Sequence, residues 1–369
     1  MSIKSKGRIF KQDPDPYRSE FQRDVHRILY SQPFRRLRHK TQVFFLVNND
    51  HVCTRLEHSL YVASASRTVA RFLKLNEDLT EAIGLGHDLG HAPFGHPGEE
   101  ILTEIAKNAK LLNTTFCHEV HGLRIVDVLG LFDRESLPGL NLTYEVRDGI
   151  ISHNGENYEK EREIMPWPIK KDLSEIKTKH EAKNPTTLEG CIVRIVDKIA
   201  YAGRDLEDGL TAELIKEKDI PKDLKNHLGY NNGKIVKTLM EDLIKESSKY
   251  EDRICLSPEK HELLVKLINF NYKNIYKTVK AKKYKAQATA GINALFPKLC
   301  CDLDKSERFR EKGILPDLDV YKTFKEFIKD VCYREEEKNE QIVFDFISGM
   351  TDNYVIRCID EIFIPKAIV

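Results

Sequence analysis

Apolar residues recur along most of this chain at intervals of three and four, the spacing that gathers one face of an α-helix. The strict alternation of a half-buried strand, and the Asn-Gly or Asp-Gly turns of hairpins, are scarce. The pattern predicts an all-α protein with helices near 19–31, 55–74, 77–87, 98–109, 118–131, 143–153, 188–208, 232–248, 258–280, 284–296, 317–332 and 338–363. Pro14 and Pro16 mark an extended entry arm. Pro166 and Pro168, among many Lys and Glu, mark an irregular excursion over 165–185 that reads as a solvated surface loop.

The helix expected over 188–208 carries the sharpest pattern. At about 100° per residue, Leu188, Ile192, Ile195, Ile199, Ala202 and Leu206 fall in one narrow stripe that faces a core. Arg194, Asp197, Lys198, Tyr201 and Asp205 fall together on the opposite arc. That arc is either a plain solvated face or a cation, an aromatic hydroxyl and two carboxylates presented to one cavity.

Composition narrows the class without naming a partner. With 369 residues, 59 Lys plus Arg and 58 Asp plus Glu, the net charge of +1 exerts no general pull on nucleic acid or membrane, so any phosphate chemistry must come from local clustering. The first residues lack the apolar core of a signal peptide, and no run of about 18 apolar residues occurs. A soluble, cytoplasmic protein with no membrane partner is expected. The eight cysteines are scattered with no CxxC pair and read as reduced core thiols.

Candidate chemistry gathers where a helix must end. Gly84-Leu-Gly-His-Asp-Leu-Gly-His-Ala-Pro-Phe-Gly-His places three histidines among four glycines and a proline, although each Gly or Pro weakens a helix by about 1–3 kcal/mol. The adjacent pair His87 and Asp88, with His58 upstream and Asp197 in Arg194-Ile-Val-Asp-Lys, are two imidazoles and two carboxylates. Such a set can hold one divalent cation and leave positions for water and a phosphate oxygen. Imidazole donors favour Mn²⁺ or another transition ion over Mg²⁺, which remains acceptable. Taken singly, His58 also reads as a hydrogen-bonded core histidine, and Asp88 as a cap on the turn that follows it.

These motifs together resemble the HD superfamily, and within it the dGTPase-like deoxynucleoside triphosphate triphosphohydrolases, which include the animal SAM-and-HD-domain enzymes. The likeness runs from Arg18-Ser-Glu-Phe-Gln-Arg through Gln42, then Gly86-His-Asp-Leu-Gly-His-Ala-Pro-Phe-Gly-His-Pro-Gly-Glu, Phe116-Cys-His-Glu, Asp197-Lys-Ile-Ala-Tyr-Ala-Gly-Arg-Asp and Ile347-Ser-Gly-Met-Thr-Asp-Asn-Tyr. It is dense over 17–210 and thin between 211 and 340. The resemblance implies an HD-domain helical bundle with additional C-terminal helices: an amino-terminal arm and helix over 1–54, a catalytic core over 55–210, and a helical region over 211–369 that continues the same globule.

By resemblance, His58, His87, Asp88 and Asp197 are the ligands of one divalent metal ion. His96 and Glu99 form the catalytic pair, and His118 is a further catalytic-site histidine. Arg55, His91, Lys198 and Tyr201 touch the triphosphate, while Gln42 and Asp205 lie near the sugar. The implied reaction converts dGTP, and other dNTPs, to deoxynucleoside and tripolyphosphate, with His96 protonating the departing O5′. The resemblance also implies a homo-oligomer, a tetramer or hexamer; a nucleotide effector or, through local basic runs, single-stranded nucleic acid are further candidate partners that the sequence leaves open. His121 departs from the family, which usually carries Gln there, and reads as an exposed helix residue. His153 and Asn154 read as a helix end.

Two other functions compete. One is an HD phosphohydrolase acting on a deoxynucleoside monophosphate, guanosine tetraphosphate or a cyclic dinucleotide. The other is a low-turnover nucleic-acid-binding regulator that uses basic runs such as Phe34-Arg-Arg-Leu-Arg-His-Lys. Product analysis separates the first, and the salt dependence of single-strand binding the second.

Overall fold

A computed structural model describes residues 5–40, 53–111, 116–131, 138–153, 159–277, 279–309, 315–331, 333 and 335–365, without the side chains of 279–282. Fifteen α-helices occur among these residues. The only sheet among them is a two-strand pair, β1 (Glu163–Ile164) against β2 (Ile254–Cys255), antiparallel with Glu163 opposite Cys255. The chain is all-α, as its periodicity predicts.

In order, the helices are α1 (Glu20–Tyr30), α2 (Gln32–Arg36), α3 (Arg55–Phe72), α4 (Glu77–Gly86), α5 (Gly95–Asn108), α6 (His118–Arg124), α7 (Tyr144–Ser152), α8 (Leu188–Thr211), α9 (Lys222–His227), α10 (Asn232–Ser247), α11 (Pro258–Asn271), α12 (Val279–Lys305), α13 (Asp319–Val331), α14 (Asn339–Ser348) and α15 (Asp352–Phe363). Local chemistry sets several starts. Thr54 and Glu57 form a reciprocal capping box at the head of α3, Asn76 caps α4, and Thr187 caps α8 by accepting from the Gly190 N–H at 3.1 Å.

Four expected helices differ. The long final helix is broken into α14 and α15, because Gly349 ends the first and Thr351 caps the second by accepting from the Tyr354 N–H at 3.2 Å. The helix expected over 284–296 runs instead from Val279 to Lys305 with Pro297 inside it. The helices expected over 118–131 and 258–280 pass into π-helical turns at Ile125–Leu129 and Tyr272–Tyr276.

The apolar stripes close on two clusters. The first collects buried residues of α1, α3, α4, α6, α7, α8, α10 and α11, so the packing shows no break near residue 210. The second collects α5 with α12, α13, α14 and α15. Helix α8 runs through the first with α3, α4, α7, α10 and α11 against it, and every residue from Cys191 to Ala200 is buried. The opposite arc of this helix is therefore not solvated.

The excursion over 165–185 is mostly exposed, as its composition predicts, but it is pinned to the core at a few points. Leu173, Ile176 and Ala182 enter the first core, and the Trp167 N–H donates to the Pro185 carbonyl at 2.8 Å, closing the segment on itself. The Lys171 ammonium meets Asp148 at 2.5 Å and donates to the Ser152 hydroxyl at 2.6 Å. A buried ion pair at the end of α7 thus anchors a stretch whose composition looks like surface.

All seven described cysteines are free thiols. Five are buried, Cys300 is half-buried and Cys301 is exposed. No helix among the described residues is long and apolar enough to cross a membrane.

Candidate active site

The site forms where α3, the end of α4 and α8 meet. The capping box at Thr54 starts α3 immediately before Arg55, so Arg55 and His58 occupy its first turn on one face. Helix α4 ends at Gly86 and tightens into a 3₁₀ turn, His87–Gly90, which aims His87 and Asp88 inward. Gly90 is required there: a Cβ at this position would stand 1.8 Å from the His118 carbonyl oxygen and 2.3 Å from the Gly122 nitrogen. That close approach sets His91 beside His118. Phe94 and Gly95, at φ of 68° and 60°, then turn the chain sharply into α5.

Distant elements hold this turn from outside. The Phe94 N–H donates to Asp352 Oδ1, in the first turn of α15, at 2.8 Å. The buried Lys40 ammonium donates to the His91 carbonyl and to the Ser348 carbonyl, the latter at 3.4 Å. Burial, with Arg36 nearby, pushes Lys40 down to about 7.

His58, His87, Asp88 and Asp197 converge. His58 Nε2 lies 2.9 Å from Asp197 Oδ1, and His87 Nε2 lies 3.6 Å from the same oxygen and 3.4 Å from Asp88 Oδ1. Ligand atoms of His58, His87 and Asp88 all fall within 4.8 Å of one another. The His87 ring is fixed by Nδ1 on the Gly84 carbonyl at 2.7 Å, and its Nε2 is buried with no hydrogen-bond partner. An orphaned imidazole nitrogen facing two carboxylates, with a second imidazole alongside, fits a divalent transition ion. Burial opposes ionisation of both carboxylates. The imidazoles beside them prevail, so His58 and His87 hold Asp197 far below the usual range, and His87 and His91 do the same for Asp88.

A second group adjoins the first. His91 Nδ1 and His118 Nδ1 meet the same Glu99 oxygen at 2.8 and 3.2 Å, and the two rings stack at 3.7 Å. Burial, with Arg55 beside it, lowers His91 to about 4, whereas for His118 Glu119 and Glu99 outweigh burial and raise it to about 9. His96 stands exposed in the first turn of α5, its Nδ1 3.9 Å from Glu99 Oε2 and its ring 6.5 Å from that of Tyr276. The expected His96–Glu99 contact is thus longer than a hydrogen bond: His91 and His118 both engage Glu99 Oε1, and Oε2 faces His96 across that gap.

The phosphate-binding candidates flank these groups. Arg55 Nη1 donates to Asp88 Oδ2 at 3.2 Å. The buried Lys198 ammonium pairs with Glu161 at 2.6 Å, and Arg194 pairs with the other oxygen of the same carboxylate at 2.5 Å. Tyr201 is half-buried on the same arc of α8. The buried Asp205 accepts from the Tyr276 hydroxyl, and burial raises its carboxyl to about 8. Gln42 and Asn154 lie outside the described residues.

Two histidines differ from their expected settings. His121 is buried, not exposed: its ring packs 5.2 Å from Phe116, and burial with Arg124 nearby pushes it down to about 3. His153 does follow the last residue of α7, but its ring turns inward to 5.1 Å from His87, and its Nε2 lies 3.3 Å from His118 Nε2.

With this geometry in place, likeness to known proteins decides the family. Residues 55–202 match the HD domain and residues 254–361 the phosphohydrolase-associated domain. A protein of Caldanaerobacter subterraneus subsp. tengcongensis is 38% identical over 365 residues, covering 99% of this chain and 91% of its own. One of Desulfatibacillum aliphaticivorans is 36% identical over 370 residues, covering 100% and 94%, and one of Clostridium tetani is 35% identical over 369, covering 99% and 91%. Each is named a deoxyguanosinetriphosphate triphosphohydrolase-like protein.

This chain belongs to the dGTPase-like HD phosphohydrolase family.

The HD match begins at Arg55 and ends just beyond Tyr201, so it encloses all four residues of the cation cluster. Three site residues of this dGTPase-like protein were not legible as such. Glu161 lies outside any periodic pattern, Tyr276 ends a π-helical turn that shifts the helical face, and His153 looks like a helix end. The one usable signal was the isolated Ser-His after an apolar run in α7.

Proposed function

We propose that this protein hydrolyses deoxynucleoside triphosphates at the α-phosphorus, with dGTP among its substrates, releasing the deoxynucleoside and intact tripolyphosphate. The observation that carries this reading is the convergence of His58, His87, Asp88 and Asp197 beside the Glu99-tethered pair His91 and His118, with cations on both flanks. A divalent ion held by the first four would polarise an α-phosphate oxygen and lower the pKa of water.

The chain's own residues supply the rest. Arg55, fixed on Asp88, presents a planar guanidinium to phosphate oxygens, and Lys198 adds a buried positive charge once Glu161 yields it. Positions held in advance in this way carry much of the catalysis of phosphoryl-group reactions. His91 and His118 line the phosphate side, kept in register by Glu99. His96, exposed at the start of α5, delivers the proton that O5′ needs on leaving, and its contact to Glu99 tightens in the substrate complex. Asp205 with Tyr276 forms a buried polar wall for the sugar. The departing alkoxide leaves as a neutral hydroxyl, so the nucleoside and the triphosphate chain separate in one displacement.

Incubation of the purified protein with each dNTP and Mn²⁺, with or without chelator, tests the reading. Tripolyphosphate and nucleoside in equal amounts, lost on chelation, are expected. Orthophosphate or pyrophosphate as first products would contradict it.

A further inference from the structure

Lys40 closes the basic run that the sequence offers to nucleic acid, yet its side chain is buried and out of reach of such a partner. Its ammonium donates to the His91 carbonyl and, at 3.4 Å, to the Ser348 carbonyl, while its own carbonyl accepts the Arg55 N–H at 3.1 Å. One residue thus joins the head of α3, the turn after α4 and the break between α14 and α15. Burying an ammonium against neutral carbonyls is unfavourable beside a methionine of similar length, so packing alone does not account for a lysine here. Lys40 also precedes residue 55, where the HD match begins, and Ser348 lies inside the phosphohydrolase-associated match over 254–361.

These bonds bear on a short stretch of backbone. Phe94 is left-handed at φ of 68°, a conformation that a side chain disfavours, and the Asp352 carboxylate takes its N–H at 2.8 Å. A Cβ at Gly98 would stand 1.8 Å from the Pro93 carbonyl oxygen, so the first turn of α5 lies directly on this stretch and cannot slide over it. His91 through Gly98 therefore form one piece, gripped at His91 by Lys40 and at Phe94 by Asp352. The side chains it carries differ in their own support. His91 is tied by Glu99 at 2.8 Å, whereas His96 stands exposed at 3.9 Å from Glu99, so its place is set by the backbone.

We infer that Lys40 is a positioning residue for His96: with Asp352 it pins the His91–Phe94 turn to the α14–α15 break and so sets where α5 begins. This inference rests on the reading of His96 as the group that protonates O5′. It makes the carboxyl-terminal helices part of the active-site frame. The backbone bond from Arg55 to the Lys40 carbonyl survives substitution of the side chain, so the head of α3, with Arg55 and His58, is left in place.

A double-mutant cycle in the full-length protein tests this, read as kcat for dGTP at saturating substrate beside Mn²⁺ content by elemental analysis. Lys40→Met is expected to lower kcat on the order of 10-fold, since small displacements of a catalytic group are costly, with Mn²⁺ content and KM little changed. In a His96→Ala background the same substitution is expected to lower kcat by less than about 2-fold, because the group it positions is gone. Equal fold losses in the two backgrounds, or no loss in either, overturn the positioning role and leave the proposed hydrolysis intact. Full kcat in His96→Ala alone overturns the proton-donor reading and this inference with it. Asp352→Ala, whose loss must likewise depend on the presence of His96, covers the case in which Lys40→Met does not fold.

Discussion

Helices α8 and α13 are both amphipathic, yet their polar faces have opposite fates. On α13, Val320, Tyr321, Phe324 and Val331 are buried while Lys322, Lys325, Glu326 and Lys329 lie exposed in water. On α8 the apolar stripe is buried as well, but so are Arg194, Asp197, Lys198 and Asp205 opposite it. Burying such groups without partners costs several kcal/mol each, and here every one has a charged or hydrogen-bonding neighbour within the cavity. Periodicity identifies a polar face. Only the packing around it distinguishes a solvated face from a site.

The largest effect that sharpens this contrast is expected at Asp197. Asp197→Ala removes the carboxylate shared by His58 and His87, so it loses the cation those residues hold and lowers turnover by on the order of 10³-fold or more. His96→Ala is expected to lower turnover by about 10²–10⁴-fold with metal content unchanged, as measured by steady-state rates beside elemental analysis. Full activity in either variant breaks the scheme.

Lysines on the two helices form a matched pair. Lys198→Ala is expected to cut kcat/KM by roughly 10²-fold, since the buried cation proposed to meet the triphosphate is lost. Lys325→Ala on α13 should leave kinetics unchanged and shift stability by no more than about 0.5 kcal/mol. Equal effects from the two would erase the distinction between the faces.

A third test uses pH. His121 is held near 3 in the folded protein against about 6.5 in an unfolded chain, so above pH 6.5 both states are neutral and the residue has no pH-dependent effect. As pH falls from about 6.5 toward 3 the unfolded chain takes up a proton that the folded one refuses, and stability drops by on the order of a few kcal/mol. Thermal unfolding of His121→Gln across that window should show a shallower loss than wild type. Parallel curves would mean that His121 is not buried in its neutral form.

The smallest effect is expected at Glu161. Its carboxylate pairs with Arg194 and Lys198 and, on the proposed reading, competes there with phosphate, so Glu161→Gln should lower KM by a few-fold with little change in kcat. A raised KM would instead make Glu161 a support for those cations.

Much of this was legible in the sequence. Helical spacing marked the all-α class, and the glycine-rich run after Gly84 marked the site because its glycines are costly in a helix and Gly90 admits no side chain. Motif likeness supplied the quartet His58, His87, Asp88 and Asp197, of which the fold brings the first three close enough to share one ion and sets Asp197 against His58. What stayed hidden depends on tertiary geometry. The inward turn of His153 follows from how α7 packs beside the His87–Gly90 turn, and the burial of His121 from Phe116 across it. Likewise, the break between α14 and α15 places Asp352 under Phe94, so a segment far along the chain fixes the turn that carries His91.

Hydrolysis of dGTP in ¹⁸O-labelled water, followed by mass analysis of both products, tests the central claim most directly. Attack at the α-phosphorus predicts one ¹⁸O in a terminal phosphate of the tripolyphosphate and none in the nucleoside. Label in the nucleoside, or release of labelled orthophosphate in its place, would contradict the account.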